Sequence, residues 1–174
     1  MYSRPSKGSP EETIWYEVEM LDFCYRRLKT RENSWETECD FYVYLEAYLL
    51  HYRNLLACFS GEHHRSDDID FSNLSQWTTK QVTQSQVDAI RDPAKQLEQS
   101  YYRDISQFLA HVTVRRSVED MKWMVHGMHA RVQPIAQDFL KLFPPTRQFC
   151  QGRRTGQSSL NGASTMSWTK AGGS

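Results

Sequence analysis

The side chains best suited to chemistry begin with His51, Arg53 and Asn54, which lie within four residues of one another. If this segment is helical, His51 and Arg53 lie about 200° apart and occupy opposite flanks. His51 and Asn54 share a face. One interpretation is that His51 and Asn54 are solvated and that Arg53 is a boundary residue paired with an acid. The alternative is that one flank faces another helix and forms a polar pocket.

A second candidate is Glu98, which falls in the middle of an apolar helical stripe. A carboxylate at a core position must be paired or protonated, because burying a lone charge is costly. Arg53 is the best candidate counter-charge, and Arg131 is another. The alternative is a different register or a shorter helix, which would leave Glu98 exposed.

A third set of candidates is Arg103, Asp104 and His111. Asp104 and His111 are seven residues apart and almost co-facial on a helix. A carboxylate two turns from an imidazole can orient it, as a general base requires. A pair near a helix end is more often a surface cap or a salt link, so this structural interpretation stands beside the catalytic one.

The remaining histidines give weak metal signals, and we expect no metal or other cofactor. His126 and His129 have a spacing that can bind metal, but no third ligand follows, so both are expected to be solvated. His63 and His64 precede three aspartates at 67, 68 and 70, without a calcium-loop or zinc pattern. The sequence also contains no Gly-rich phosphate loop, no G-x-S-x-G and no H-E-x-x-H motif.

The element that must position these groups is a long central helix over residues 41–59. Its large apolar residues recur at spacings 4-3-4-3-4, which places them on one helical face. They are Phe41, Leu45, Tyr48, Tyr52, Leu55 and Phe59, and the stripe is widened by Tyr42, Leu49 and Leu56. This pattern predicts an all-α four-helix bundle.

Two further boundaries frame this helix. Ser9 followed by Pro10 and Glu12 predicts the start of a first helix, which runs to about Thr30 and buries one stripe. That stripe is Ile14, Val18, Leu21, Tyr25 and Leu28. Asn33 or Ser34 is the predicted cap of the central helix, and Gly61 is placed for its C-terminal cap.

The second half of the chain is predicted to form a short extra helix and two long ones. The short helix spans Thr83 to Arg91, and a third long helix runs from Pro93 to about Val112, capped by Asp92. The fourth spans 117–143, is kinked at Pro134 and is stopped by two prolines at 144 and 145. Its inward stripe is Met121, Met124, Met128, Val132, Ile135, Phe139 and Leu142.

Composition bounds the organisation of the chain. Residues 1–8 are expected to be flexible, 9–145 to form the bundle with a long polar loop over 61–79, and 146–174 to form a disordered basic Gly/Ser-rich tail. Among 174 residues, 21 acidic and 21 basic side chains balance, so no general attraction to nucleic acid or acidic membranes is expected. Cys24 and Cys58 are interpreted as small packing residues.

Two short motifs carry a family resemblance. Residues 48–56, Y-L-L-H-Y-R-N-L-L, and residues 109–113, L-A-H-V-T, resemble segments of small bacterial helical proteins similar to the HEPN superfamily. The resemblance spans roughly Trp15 to Phe143 and implies a helical bundle, often dimeric, in a family that includes RNA-cleaving toxins and catalytically silent members. The family's active motif has four to six residues between an Arg and a His. Here His111 follows Arg103 one residue too late.

The resulting prediction is a cytoplasmic, non-catalytic interaction or accessory module that forms a homodimer. The alternative is a metal-independent ribonuclease of toxin or defence type. In that alternative His111 acts as acid/base, Asp104 orients it, and Arg53 with Asn54, or Arg103, stabilises charge on phosphate. The basic tail would add weak RNA affinity.

Overall fold

The computed structural model describes residues 9–30, 38–62, 69–71, 82–110 and 123–146. These residues form four helices, namely α1 (Pro10–Lys29), α2 (Glu38–Ser60), α3 (Gln84–Ala110) and α4 (Val125–Leu142). No strand occurs in these described ranges. The all-α bundle is therefore confirmed, whereas the N-terminal residues 1–8 and the tail from 147 onward lie outside the described residues.

The start of α1 follows its local sequence signal. Ser9 has an extended backbone, and its hydroxyl accepts a hydrogen bond from the Glu12 amide at 3.3 Å. Pro10 occupies the first turn, where its missing amide costs nothing. The predicted inward stripe is also confirmed. Ile14 and Leu21 are buried, and the other three members are partly buried against the core: Val18, Tyr25 and Leu28.

The central helix α2 buries the stripe that its spacing predicts. Leu45, Tyr48, Tyr52, Leu55 and Phe59 are all buried, as are the flanking Leu49 and Leu56. At its end Gly61 has φ +73°, a left-handed conformation that glycine adopts without a Cβ penalty. The predicted caps at Asn33 and Ser34 lie outside the described residues.

One member of the widened stripe was predicted wrongly, because Tyr42 is exposed. Tyr52 packs on Tyr101 of α3, with ring centroids 5.8 Å apart. The two helices are antiparallel, because Glu62 after α2 is paired with Lys95 of α3, so Tyr42 lies at the height just past the end of α3 at Ala110.

The prediction of a short helix followed by a restart at Asp92 was wrong, because α3 runs without a break through Pro93. Proline removes one backbone hydrogen bond, but tertiary packing compensates. Four buried apolar residues at spacings 3-4-3 form one continuous stripe on both sides of the proline: Val87, Ile90, Ala94 and Leu97. The start itself is a capping box, since the Thr83 hydroxyl accepts from the Gln86 amide at 3.4 Å and the Gln86 side chain accepts from the Thr83 amide at 2.9 Å.

The fourth helix begins later than predicted. Trp123 and Met124 are not helical, and Met124 is 73% exposed rather than part of the inward stripe. The Trp123 ring packs edge-on against Phe108 of α3 at 5.6 Å, a tertiary contact that overrides local helix propensity at this point. From Val125 onward α4 continues through Pro134 to Leu142, and Met128, Val132, Ile135 and Phe139 are buried as predicted.

The four helices form a closed ring in which α1 packs on α2, α2 on α3, α3 on α4, and α4 on α1. Contacts run in opposite residue order on neighbouring helices. Glu17 and Phe23 of α1 meet His51 and Tyr44 of α2, respectively. Helices α1 and α2 are therefore antiparallel, as a short connection favours.

Aromatic rings fill one end of the bundle. Phe59 of α2, Phe139 of α4 and the loop residue Phe71 contact one another at centroid distances of 5.5–6.0 Å. The Trp15 indole N–H donates to the Phe143 carbonyl at 2.8 Å, which ties the start of α1 to the end of α4. None of the helices described has the length and apolar character needed to cross a membrane.

Candidate functional site

The polar group with the best-defined geometry lies between α1 and α2 and is centred on Glu17. His51 Nδ1 lies 2.7 Å from Glu17 Oε2, and Asn54 Nδ2 donates to the same oxygen at 3.2 Å. Arg53 in turn donates to Asn54 Oδ1 at 3.4 Å. We call these four residues the Glu17 cluster. The flank of α2 that carries His51 and Asn54 faces α1, as the second interpretation had it, and the expectation that His51 is solvated was wrong.

Helical geometry explains how these groups come together. His51 and Asn54 are three residues apart on α2, so both reach α1 at nearly the same height. Glu17 stands between Ile14 and Leu21 at spacings of three and four, which places an acid beside the apolar stripe of α1. Sequence reasoning missed Glu17, although this position within a buried stripe was the available signal.

The chemistry of the Glu17 cluster is limited by its burial. A carboxylate that accepts from an imidazole nitrogen orients the ring, as in sites of general acid–base catalysis. However, His51 is only 7% exposed, and the Tyr16 ring packs edge-on against it at 5.8 Å. A substrate in solution has little access to this ring. The arrangement therefore suits holding α1 against α2 better than it suits turnover.

Glu98 is buried, as its position in the stripe of α3 predicted. Of its two predicted counter-charges, Arg53 donates to Asn54, and Arg131 is exposed on α4. Arg103 and Asp104 are also exposed on α3, and His111 lies outside the described residues. The catalytic roles of Arg53, Asn54, Arg103, Asp104 and His111 stay predictions.

A second cluster lies between α1 and α4, where His129 was predicted wrongly to be solvated. The His129 ring stacks on Tyr25 at 3.7 Å with an interplanar angle of 8°, and it is 5% exposed. Its Nε2 lies 3.6 Å from Asp22 Oδ1. His126 is exposed as expected, yet its Nδ1 lies 2.6 Å from the Tyr25 hydroxyl. Burial lowers the pKa of His129, and the Asp22 carboxylate opposes that shift.

Burial disfavours the ionised forms of one cysteine and two tyrosines in the core. Burial raises the pKa of the Cys58 thiol, and the carboxylate of Asp70 adds to that shift. Burial likewise raises the pKa of Tyr48 and of Tyr52. These groups stay protonated and pack as apolar residues, as predicted for Cys58.

The described part of the chain contains no group of three or more side chains able to hold a metal ion. Histidines 63 and 64 and aspartates 67 and 68 lie outside the described residues. Asp70 is described, and its carboxylate accepts from Arg91 at 3.4 Å. His126 and His129 have a spacing that can bind metal, but Tyr25 contacts both of them. Its hydroxyl is hydrogen-bonded to His126, and its ring stacks on His129.

Comparisons of the sequence and of the fold with known proteins identified no relative. No family model matches the chain, no curated protein matches it, and no solved structure matches its fold.

Proposed function

We propose that this protein is a non-catalytic interaction or accessory module, and that it self-associates through an apolar patch on the outer side of α1 and α2. The observation that carries the proposal is the exposure of Val43 and Leu50, at 61% and 39%. They are seven residues apart on α2, so both lie on one face, two turns from each other. Large apolar side chains grouped in this way are typical of interfaces.

The patch continues onto α1. Tyr16 is 37% exposed, and its ring contacts His51, the residue that follows Leu50. Met20 and Ala47, which pack partly against the core, lie between these exposed residues. We call Tyr16, Val43 and Leu50 the outer patch. Beneath it, the Glu17 cluster joins α1 to α2.

Two further arguments support this proposal. The resemblance to HEPN proteins, which are often dimeric, favours a homodimer. The cysteines whose side chains the structure describes, Cys24 and Cys58, are buried free thiols, which suits the reducing cytoplasm that we propose as the compartment.

Sedimentation equilibrium tests self-association at tens of micromolar protein. Wild-type protein is expected to be a dimer, and Leu50→Asp is expected to be a monomer because it places a charge in the centre of the interface. Met124→Asp is the matched control, since Met124 is exposed but lies away from the outer patch. A wild-type protein that remains monomeric at these concentrations contradicts the proposal.

The non-catalytic part is tested by incubating the purified protein with tRNA and mRNA in EDTA. We expect no cleavage by the wild-type chain and no difference from His111→Ala. Cleavage that disappears in His111→Ala would establish the ribonuclease alternative instead.

A further inference from the structure

We propose that two copies pack α1 against α1 in opposite directions, so that Glu12 of each copy meets Arg27 of the other. The twofold axis crosses the helices at the height of Met20 and Ala47. This inference rests on the proposed self-association and adds its geometry, namely which surfaces meet and in which direction.

The first observation is the charge polarity of α1. Its first turn carries Glu11 and Glu12, and its last turn carries Arg26, Arg27 and Lys29. A surface that is acidic at one end and basic at the other is complementary to itself after a twofold rotation. An antiparallel pair of such helices therefore brings opposite charges together at both ends.

The second observation is that the charged ends and the apolar middle share one face. Glu12, Tyr16, Phe23 and Arg27 follow one another at spacings 4-7-4, which keeps them on the same side of α1. Glu12 and Arg27 are 15 residues apart, about 22 Å along the helix axis. The aromatic residues between them lie next to α2, since Phe23 packs on Tyr44 at 6.1 Å.

The third observation is that the midpoint between the two charges on α1 and the midpoint between the two exposed apolar residues on α2 lie at the same height. The midpoint between Glu12 and Arg27 falls between Glu19 and Met20, and the midpoint between Val43 and Leu50 falls between Glu46 and Ala47. The contacts of Glu17 with His51 and of Phe23 with Tyr44 place Met20 and Ala47 at the same height. One axis at this height therefore pairs the charges of α1 and also sets Val43 opposite Leu50 of the second copy.

Arg27 is held ready for such a contact. Its guanidinium lies over the rings of Phe23 and Tyr44, at 5.5 Å and 5.7 Å from their centroids. A side chain that is already ordered on the surface loses less conformational entropy when a partner binds. Glu19 lies next to the axis and only about 20° around α1 from Glu12, so its carboxylates in the two copies approach each other and oppose the attraction of the outer charge pairs.

A second twofold arrangement is possible in principle, with the axis parallel to the helices and α1 lying on α2 of the other copy. It would set Arg27 near Asp40 and the start of α1 near Arg53. The α1-on-α1 arrangement is favoured because both of its ends pair the exposed Arg27 with the half-buried Glu12. One end of the second arrangement would instead need Arg53, which is half-buried and already hydrogen-bonded to Asn54.

Charge reversal distinguishes the two arrangements. In Glu12→Arg, two arginines face each other at both ends of the interface, and in Arg27→Glu, two glutamates do. Each single variant is expected to dimerise about tenfold more weakly at low salt. An equimolar mixture of the two variants restores both attractive pairs, so the mixed dimer is expected to regain wild-type affinity.

The control is Lys29→Glu, which makes the same charge change on the flank of α1 that faces away from α2. It is expected to leave dimerisation unchanged, and circular dichroism verifies that each variant is folded. Sedimentation of the separate and mixed variants, with one copy fluorescently labelled, measures the affinities.

The outcomes separate this inference from the function on which it rests. If both single variants weaken association and the mixture does not recover, the α1-on-α1 direction is wrong. If neither variant weakens association while Leu50→Asp abolishes it, the charge pairing is overturned and self-association through the outer patch stands. If the wild-type chain is monomeric, both proposals fail.

Discussion

Helix α1 buries a histidine on each of its two sides, and the two sides satisfy the ring differently. Against α2, His51 is 2.7 Å from the Glu17 carboxylate, which also accepts from Asn54. Against α4, His129 stacks on the Tyr25 ring, and its nearest carboxylate, that of Asp22, is 3.6 Å away. The first side is a hydrogen-bonded network, and the second is a ring stack with a distant acid.

The difference shows what determines the state of a buried imidazole. A carboxylate at hydrogen-bond distance supports the ring whether or not the imidazole is protonated. Desolvation instead disfavours the charged form, and at His129 it lowers the pKa despite Asp22. The two sides are therefore expected to respond differently to mutation, and the lowered pKa of His129 makes the α1–α4 side sensitive to pH.

The largest effect is expected from Glu17→Ala. The substitution leaves the buried His51 and the half-buried Asn54 without their shared acceptor, so we expect a loss of about 3 kcal/mol in the free energy of unfolding. Urea denaturation measures it. Glu19→Ala, two residues away on the outer side of α1, is the matched control and is expected to cost about 0.5 kcal/mol. Equal losses from the two variants would show that the Glu17 cluster does not hold α1 to α2.

A smaller effect, dependent on pH, is expected from His129→Phe. The pKa of His129 is lowered in the folded state, so below about pH 6.5 the unfolded chain binds a proton that the native protein resists. The stabilisation that this site provides is complete above that pH and is lost as pH falls, by up to about 1.4 kcal/mol per pH unit.

His129→Phe keeps a ring against Tyr25 but removes the titration. The other groups around this ring are the same in the wild-type protein and in the variant, so they do not account for a difference between the two. They are Asp22, Tyr25, His126 and Tyr48 of α2, whose ring centroid lies 6.2 Å from that of His129. We expect the difference between the unfolding free energies of the wild-type protein and the variant to shrink as pH falls from 8 to 5. The reason is that the wild-type protein loses stability faster than the variant. Parallel profiles for the two proteins would rule out a buried neutral His129.

The smallest effect is expected from Tyr25→Phe. It removes only the bond between the Tyr25 hydroxyl and His126, which is exposed, and retains the stack on His129. We expect a loss of about 0.5–1 kcal/mol, measured by urea denaturation, with the pH dependence of His129 retained. A loss as large as that of Glu17→Ala would mean that the α1–α4 side depends on hydrogen bonding as much as the α1–α2 side does.

Much of the fold was predictable because its signals are local. The Ser9 cap, the stripe of α2 and the glycine at 61 each depend on residues within one or two turns. The errors arose where distant contacts decide the outcome. Pro93 lies inside a helix because Ile90 and Ala94 on either side are buried in the bundle, and α4 begins late where Trp123 packs on Phe108.

The candidate site was predictable only in part. Residues His51, Arg53 and Asn54 were identified as a polar group on α2, but Glu17, the residue that joins two of them, was not. His129 was assigned to solvent because no third metal ligand follows it in the sequence, whereas the ring that covers it belongs to another helix.

The sequence alone determined that the chain forms long amphipathic helices and which residues share a face, because a helical period sets the angle between side chains on the same element. Only the tertiary structure decided which polar residues are buried together. The direction and height at which one helix meets the next depend on contacts more than 30 residues apart in the chain, such as Glu17 with His51, and no local pattern encodes them.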